Sequence, residues 1–119
     1  MNRFRKVAVL AVVGAVALAV AVSALASAAA TPQRVTVEMS EFKFVLKPKT
    51  VTKGVVVFAV ANKGNIGHDF RIAGKKTAVL AAKKNGTLRI TFAKAGRYPF
   101  VCTLPSHAPA GMQGVLVVK

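Results

Sequence analysis

The chain has 119 residues, with 18 lysine and arginine side chains against 3 acidic ones, a single cysteine and 54% hydrophobic residues. This length fits one domain and excludes multi-domain enzymes, propellers and long repeat arrays. A net charge of +15 is typical of proteins that bind nucleic acid or an anionic surface, whereas the hydrophobic fraction indicates a membrane segment.

The N-terminal segment, residues 1–30, has the pattern of an export signal. A basic stretch at residues 3–6 precedes the uncharged apolar run 7–22, and small residues at alternate positions follow between residues 24 and 30. This order of a positive, an apolar and a small-residue region is typical of a secretory signal peptide. We therefore predict that residues 1–30 direct export of the chain.

The same segment could instead remain attached as an uncleaved membrane anchor. Residues 7–30 would form a helix about 36 Å long at ~1.5 Å per residue, which is enough to span a bilayer. The segment contains three basic residues, so residues 31–119 keep a net charge of +12 and have a hydrophobic content typical of a soluble domain. Under either interpretation we expect residues 31–119 to form one domain in the periplasm or on the extracellular face of the cytoplasmic membrane.

The exported part is predicted to be an all-β domain. Residues 34–39 alternate between apolar and polar, as does the stretch 42–46, and the continuous apolar run 55–61 is typical of a central strand. Turn residues follow this run at 62–65. Further strands are predicted at residues 68–72, 88–92, 98–101 and 113–118.

Residues 75–84 are compatible with either a strand or one or two helical turns. The pair Asn85-Gly86 predicts a hairpin turn just before a strand that begins near Leu88. Seven or eight short strands separated by turn residues predict an antiparallel β-sandwich or barrel.

Cys102 is the single cysteine of a chain that we expect to be exported, where cysteines ordinarily form disulfides. One cysteine cannot form an internal disulfide. It could be a buried small hydrophobic residue, one half of an intermolecular bridge, or a metal ligand.

The neighbours of Cys102 favour a metal site. His107 and Met112 follow it in a Cys-x4-His-x4-Met pattern between two predicted strands, and His68 stands at the start of another strand. A thiolate, two imidazoles and a thioether suit copper in both oxidation states, because the sulfur ligands favour Cu(I) and imidazole also suits Cu(II). Structural zinc sites rarely use methionine. Each residue alone could serve packing, and the four converge only if strands 98–101 and 113–118 are neighbours.

On these residues the sequence resembles the cupredoxins, the plastocyanin and azurin family of type 1 copper proteins. The resemblance includes the stretch 41–44, the turn 62–64 before His68, and residues 110–112. It implies a Greek-key β-sandwich that binds one type 1 copper ion per chain. The ligands that the resemblance implies are the ring nitrogens of His68 and His107, the thiolate of Cys102 and the long axial thioether of Met112. The Cys-to-His interval matches azurin-like loops and the His-to-Met interval plastocyanin-like ones, so the subfamily is left open.

The sequence contains no pattern for bond-making chemistry. Neither Glu38 nor Glu41 lies in a recognisable site motif, and both histidines are assigned to the metal. A second copper centre would need further histidines, which excludes multicopper oxidase and nitrite reductase activity for this chain alone. We therefore predict a protein that is not an enzyme and that shuttles single electrons between Cu(II) and Cu(I). The alternatives are copper storage or delivery without electron transfer, and a β-sandwich interaction module without metal.

The surroundings of His107 predict how redox partners bind. His107 is expected to be partly exposed within an apolar docking face formed by Leu104, Pro105 and residues 108–110. The dispersed lysines and arginines predict attraction to partners with an acidic docking surface, or to an anionic membrane surface. Nucleic acid is not expected, because the domain is exported and lacks aromatic residues interleaved with the basic ones. We expect the protein to be a monomer.

Overall fold

The computed structural model describes residues 14–15 and 31–119. The predicted export signal or anchor, residues 1–30, lies outside the described residues except for positions 14–15. Within the part of the chain that the structure describes, no helix is long and apolar enough to cross a membrane.

The described residues form short β-strands and a short helix. In chain order they are β1 (Gln33–Ser40), β2 (Lys43–Lys47), β3 (Thr50–Val51), β4 (Gly54–Asn62), β5 (Arg71–Ile72), β6 (Lys75–Lys76), β7 (Asn85–Phe92), β8 (Gly96–Val101), α1 (His107–Ala110) and β9 (Gln113–Val118).

The strands form two sheets, which confirms the predicted all-β sandwich. One sheet has the order β2-β1-β4-β7 and the other β3-β9-β8-β5-β6. Most neighbours are antiparallel, but β1 pairs with β4 in parallel and β3 pairs with β9 in parallel, so each sheet is mixed. The predicted central strand is confirmed, because β4 lies between β1 and β7.

The core lies between the two sheets and follows from residue alternation along the strands. In β4 the side chains of Val56, Phe58 and Val60 are buried in turn, because successive side chains of a strand point to opposite faces. Phe58 packs against Phe70 from the other side of the core, with ring centroids 5.3 Å apart. Full burial of each such side chain contributes about 1.5–3 kcal/mol relative to exposure.

Two local predictions differ from the structure. The predicted strand 68–72 is shorter, since only Arg71–Ile72 forms β5 and His68 makes an isolated bridge with Leu80. The ambiguous stretch 75–84 contains β6 followed by turns and no helix.

The predicted hairpin turn at Asn85-Gly86 is wrong. Both residues lie inside β7, where they pair with Ala61 and Val60 of β4. A Cβ atom at Gly86 would lie 3.1 Å from the Leu80 side chain. Gly86 therefore lies in close contact with the Leu80 side chain within the strand and does not form a turn.

Candidate metal centre

The loop between β8 and β9 carries three of the four residues predicted to bind metal. β8 and β9 are adjacent antiparallel strands whose last pair is Val101 with Gln113. Cys102 follows directly, and its N–H donates to the carbonyl oxygen of Met112 at 3.0 Å. The N–H of Met112 in turn donates to the carbonyl oxygen of His107 at 3.1 Å. These main-chain hydrogen bonds fix Cys102, His107 and Met112 relative to one another.

The fourth residue, His68, is held by the segment that follows β4. The side-chain amide of Asn62 is buried and donates to the carbonyl oxygens of Ile66 and Leu80, both at 2.8 Å. Leu80 also exchanges two main-chain hydrogen bonds with His68, at 2.8 and 3.1 Å. Because buried amides need such partners, Asn62 fixes the shape of the connection that presents His68.

The structure brings His68, Cys102 and His107 together. Their donor atoms all lie within 4.8 Å of one another, with 3.1 Å between Nδ1 of His68 and Nδ1 of His107 and 3.5 Å between Sγ of Cys102 and Nδ1 of His107. Metal–ligand bonds of about 2.0–2.3 Å place donor atoms around one ion roughly 3–4 Å apart. The spacing of this cluster therefore fits a single transition-metal ion.

Solvent reaches the four residues to different extents. His68, Cys102 and Met112 are at most 1% exposed, whereas His107 is half-buried. His107 is thus the member of the cluster that approaches the surface. Leu104 and Ala108 are also half-buried and Pro105, Ser106 and Pro109 are exposed, so the chain neighbours of His107 are mostly apolar and all uncharged.

The surroundings of the Cys102 sulfur favour the neutral thiol. Burial is the main cause that raises the pKa of the Cys102 thiol above its ordinary value, and hydrogen bonds from the main chain of Asp69 and Leu104 oppose the shift. A cation beside the sulfur favours the thiolate instead, so metal binding at this cluster releases a proton.

Glu41 belongs to no site motif that can be recognised in the sequence, yet the structure places its carboxylate against a member of the cluster. Oε1 of Glu41 lies 3.0 Å from Nε2 of His68. The same oxygen accepts hydrogen bonds from the N–H groups of Asn65 at 2.8 Å and Ile66 at 3.1 Å. These bonds, the one from His68 first, lower the pKa of the Glu41 carboxyl to about 2, although desolvation opposes the shift. The available signal was the scarcity of acids, since the chain has only 3.

Asp69 is a second acidic residue beside the cluster. Its side chain is 1% exposed and accepts hydrogen bonds from the N–H of Thr103, at 2.6 Å, and from the Thr103 hydroxyl. Asp69 follows His68 and Thr103 follows Cys102 in the chain. The pair therefore ties the segment that carries His68 to the loop that carries Cys102.

Phe42, in the turn between β1 and β2, covers both histidines. Its ring centroid lies 5.1 Å from that of His107 and 6.4 Å from that of His68, each in an edge-to-face arrangement. The ring is 40% exposed. Phe42 thus extends the apolar surface around His107.

Comparison with known proteins gives a consistent picture. A family model described as a cupredoxin-like domain matches residues 10–118. The copper-resistant cuproprotein CopI of Rubrivivax gelatinosus is 31% identical over 115 residues, which cover 77% of this chain and 70% of CopI.

Solved structures share the fold at lower identity. Auracyanin B superposes with a TM-score of 0.63 at 21% identity and covers 75% of this chain and 91% of its own. Auracyanin A of Chloroflexus aurantiacus, described as a "blue" copper protein, superposes with a TM-score of 0.59 at 22% identity and covers 72% of this chain and 99% of its own. At these identities the structural likeness shows the fold alone.

Proposed function

The chain belongs to the cupredoxin-like domain family, and we propose that it is an exported type 1 copper protein that carries single electrons between redox partners. The observation that carries the proposal is the convergence of the donor atoms of His68, Cys102 and His107 within 4.8 Å. When bound, copper supplies a one-electron couple between Cu(II) and Cu(I). We assign the fourth ligand position to Met112.

The chemistry of the donor set supports copper over other metals. Two imidazoles, a thiolate and a methionine thioether are the ligand set of blue-copper electron-transfer sites, and His68, His107, Cys102 and Met112 would supply it here. Met112 is fully buried and hydrogen-bonded through its main chain to both Cys102 and His107. The main chain of the loop therefore ties Met112 to Cys102 and to His107.

Rigidity of the donors supports electron transfer. An electron carrier works fastest when its ligands keep the same positions in both oxidation states. The segment with His68 and the loop with Cys102 are each fixed by main-chain hydrogen bonds and are linked through Asp69 and Thr103. These contacts limit the rearrangement of the donors when an electron enters or leaves.

The surface around His107 is proposed as the docking face. His107 is half-buried, and Leu104, Pro105 and Phe42 surround it with uncharged, partly exposed surface. An electron can pass through its imidazole without crossing the core. A small apolar face fits the weak and transient contacts that are usual for redox partners.

The charge of the domain indicates the chemistry of its partners. Residues 31–119 carry 15 of the 18 basic residues and all 3 acidic ones. We propose that this excess steers a monomeric carrier towards an acidic surface on its redox partner, since complementary charge raises association rates. An anionic membrane surface is the other partner that this charge fits.

Both histidines of the chain stand in this cluster, which supports a carrier over an enzyme. Copper storage or delivery is a second candidate, and the likeness to the copper-resistant cuproprotein CopI favours it. Against it, the chain has only 2 histidines and 3 methionines and so lacks a ligand-rich tract of the kind used for delivery.

Redox cycling of the copper-loaded protein separates the two candidates. We expect one electron per chain to be taken up and returned reversibly over repeated cycles, with rapid self-exchange between oxidised and reduced protein. Copper should remain bound when a Cu(I) chelator is present. Slow self-exchange together with loss of copper to the chelator on reduction would favour delivery and contradict the carrier.

A further inference from the structure

We propose that Glu41 is a positioning residue for His68, which fixes the imidazole with Nδ1 towards the metal and favours Cu(II) over Cu(I). This inference rests on the proposed function, because it concerns the same copper centre. Glu41 lies 27 residues before His68, in the turn between β1 and β2. It therefore reaches the centre from a part of the fold that carries no proposed ligand.

Several contacts hold the Glu41 carboxylate in position. A single oxygen, Oε1, faces Nε2 of His68 and the N–H groups of Asn65 and Ile66 at 2.8–3.1 Å. A Cβ atom at Gly64 would overlap the same carboxylate, so this glycine leaves the space that Glu41 occupies. The His68 side chain is fully buried and that of Glu41 is 29% exposed.

These contacts determine which ring nitrogen of His68 carries the proton. An ionised carboxylate can only accept hydrogen bonds, so Nε2 of His68 must be the donor to Oε1. In the neutral imidazole the lone pair then lies on Nδ1, which is 3.1 Å from Nδ1 of His107 and inside the donor cluster. Glu41 thus selects the tautomer that binds metal from the side of Cys102 and His107.

The negative charge of the Glu41 carboxylate also affects which oxidation state of copper is favoured. A carboxylate that accepts the proton of a metal-bound imidazole makes the imidazole a stronger donor. This effect stabilises the more highly charged Cu(II) more than Cu(I). The chain has 3 acidic residues against 18 basic ones, and Asp69 is the other one beside the cluster, where its carboxylate accepts hydrogen bonds from Thr103.

Glu38 offers a matched control for Glu41. It lies on β1 three positions earlier, is exposed, and belongs to no part of the cluster. E38Q and E41Q remove the same charge with almost no change in side-chain size. Loss of such a partner typically costs about 10–100-fold in metal affinity. We expect E41Q to weaken Cu(II) binding by about 10-fold or more relative to Cu(I) binding, because the lost negative charge stabilises the more highly charged ion more. E38Q should change the ratio of Cu(II) affinity to Cu(I) affinity less than twofold.

The reduction potential reports this ratio directly. Each tenfold change in the Cu(II)-to-Cu(I) affinity ratio corresponds to about 59 mV for one electron, so E41Q should have the higher potential by at least about that amount. An equal shift in E38Q and E41Q would overturn the inference, because a general charge effect would then account for both.

A measurement on the metal-free protein separates this inference from the proposed function. The ¹⁵N chemical shifts of His68 should show a proton on Nε2 in the wild type and in E38Q, and a proton shared between both nitrogens in E41A. A wild-type His68 protonated on Nδ1 would contradict the role of Glu41. If the wild type failed to form a copper–thiolate centre, the proposed function would fail, and the tautomer would still decide whether Glu41 positions His68.

Discussion

Cys102 donates its main-chain N–H to the carbonyl oxygen of Met112 across 3.0 Å, at the base of the loop between β8 and β9. This hydrogen bond extends the pairing of the two strands by one step beyond Val101 and Gln113. Residues ten positions apart in the chain therefore lie side by side. The pairing of β8 with β9 thus holds the main chain of Cys102 beside that of Met112.

The proposed role of Met112 as a ligand can be tested against a second buried methionine. Met39 and Met112 are both fully buried, and a methionine-to-leucine exchange keeps volume and usually costs less than about 1.5 kcal/mol. We expect M112L to raise the reduction potential, because a thioether stabilises Cu(II) more than an aliphatic side chain does. M39L should leave the potential unchanged, and equal potentials in the two variants would argue against Met112 as a ligand.

The link between Asp69 and Thr103 should contribute to stability. T103V removes the hydroxyl that donates to the buried carboxylate, and an unsatisfied buried acceptor costs about 1–3 kcal/mol. Denaturant unfolding measures this loss. T36V is the control, since the Thr36 hydroxyl makes an exposed hydrogen bond at 3.3 Å. If both variants lost the same stability, the link would have no special role.

Gly111 is required by contact with Phe42 as well as by its own conformation. Its φ is 131°, and a Cβ atom there would lie 2.6 Å from the carbonyl oxygen of Phe42. Gly54 has a similar φ of 127° with no atom within 4 Å of such a Cβ. Both alanine variants carry backbone strain of about 1–3 kcal/mol. We expect G111A to be less stable than G54A and also to alter the copper spectrum, whereas G54A should keep the wild-type spectrum.

Electron-transfer rates should depend on salt in a way that reveals the positive charge. With ferrocyanide as an anionic reductant, the rate should fall as ionic strength rises, because screening weakens attraction to the basic domain. With hexaammineruthenium(II), a cation, the rate should increase instead. Stopped-flow absorption measures both, and rates that do not respond to salt would contradict electrostatic steering.

The strands were predictable where local pattern and burial agree. The apolar run 55–61 predicted β4, since its inward side chains are buried in the core and its outward ones are half-buried, which leaves no fully exposed position. The turn at Asn85-Gly86 was not predictable from local preference. There the pairing of β7 with β4 and the packing of Leu80 against Gly86 outweigh the turn propensity of the dipeptide.

The residues of the candidate site also differ in how far the sequence indicates them. His68, Cys102, His107 and Met112 stand out in the sequence because their side chains have rare metal-binding chemistry, and three of them lie in one short loop. Their role as ligands remains a prediction. Glu41 and Asp69 act through partners brought near by folding, at separations of 27 and 34 residues, and no local pattern indicates such contacts.

The visible absorption and EPR spectra of the copper-loaded protein, compared with those of C102S, test the central claim most directly. We expect the wild type to show an intense thiolate-to-copper band and a small copper hyperfine splitting, and C102S to lose both while its metal-free form keeps the wild-type circular dichroism. A wild type without the band, or a band that persists in C102S, would contradict a type 1 copper centre at Cys102.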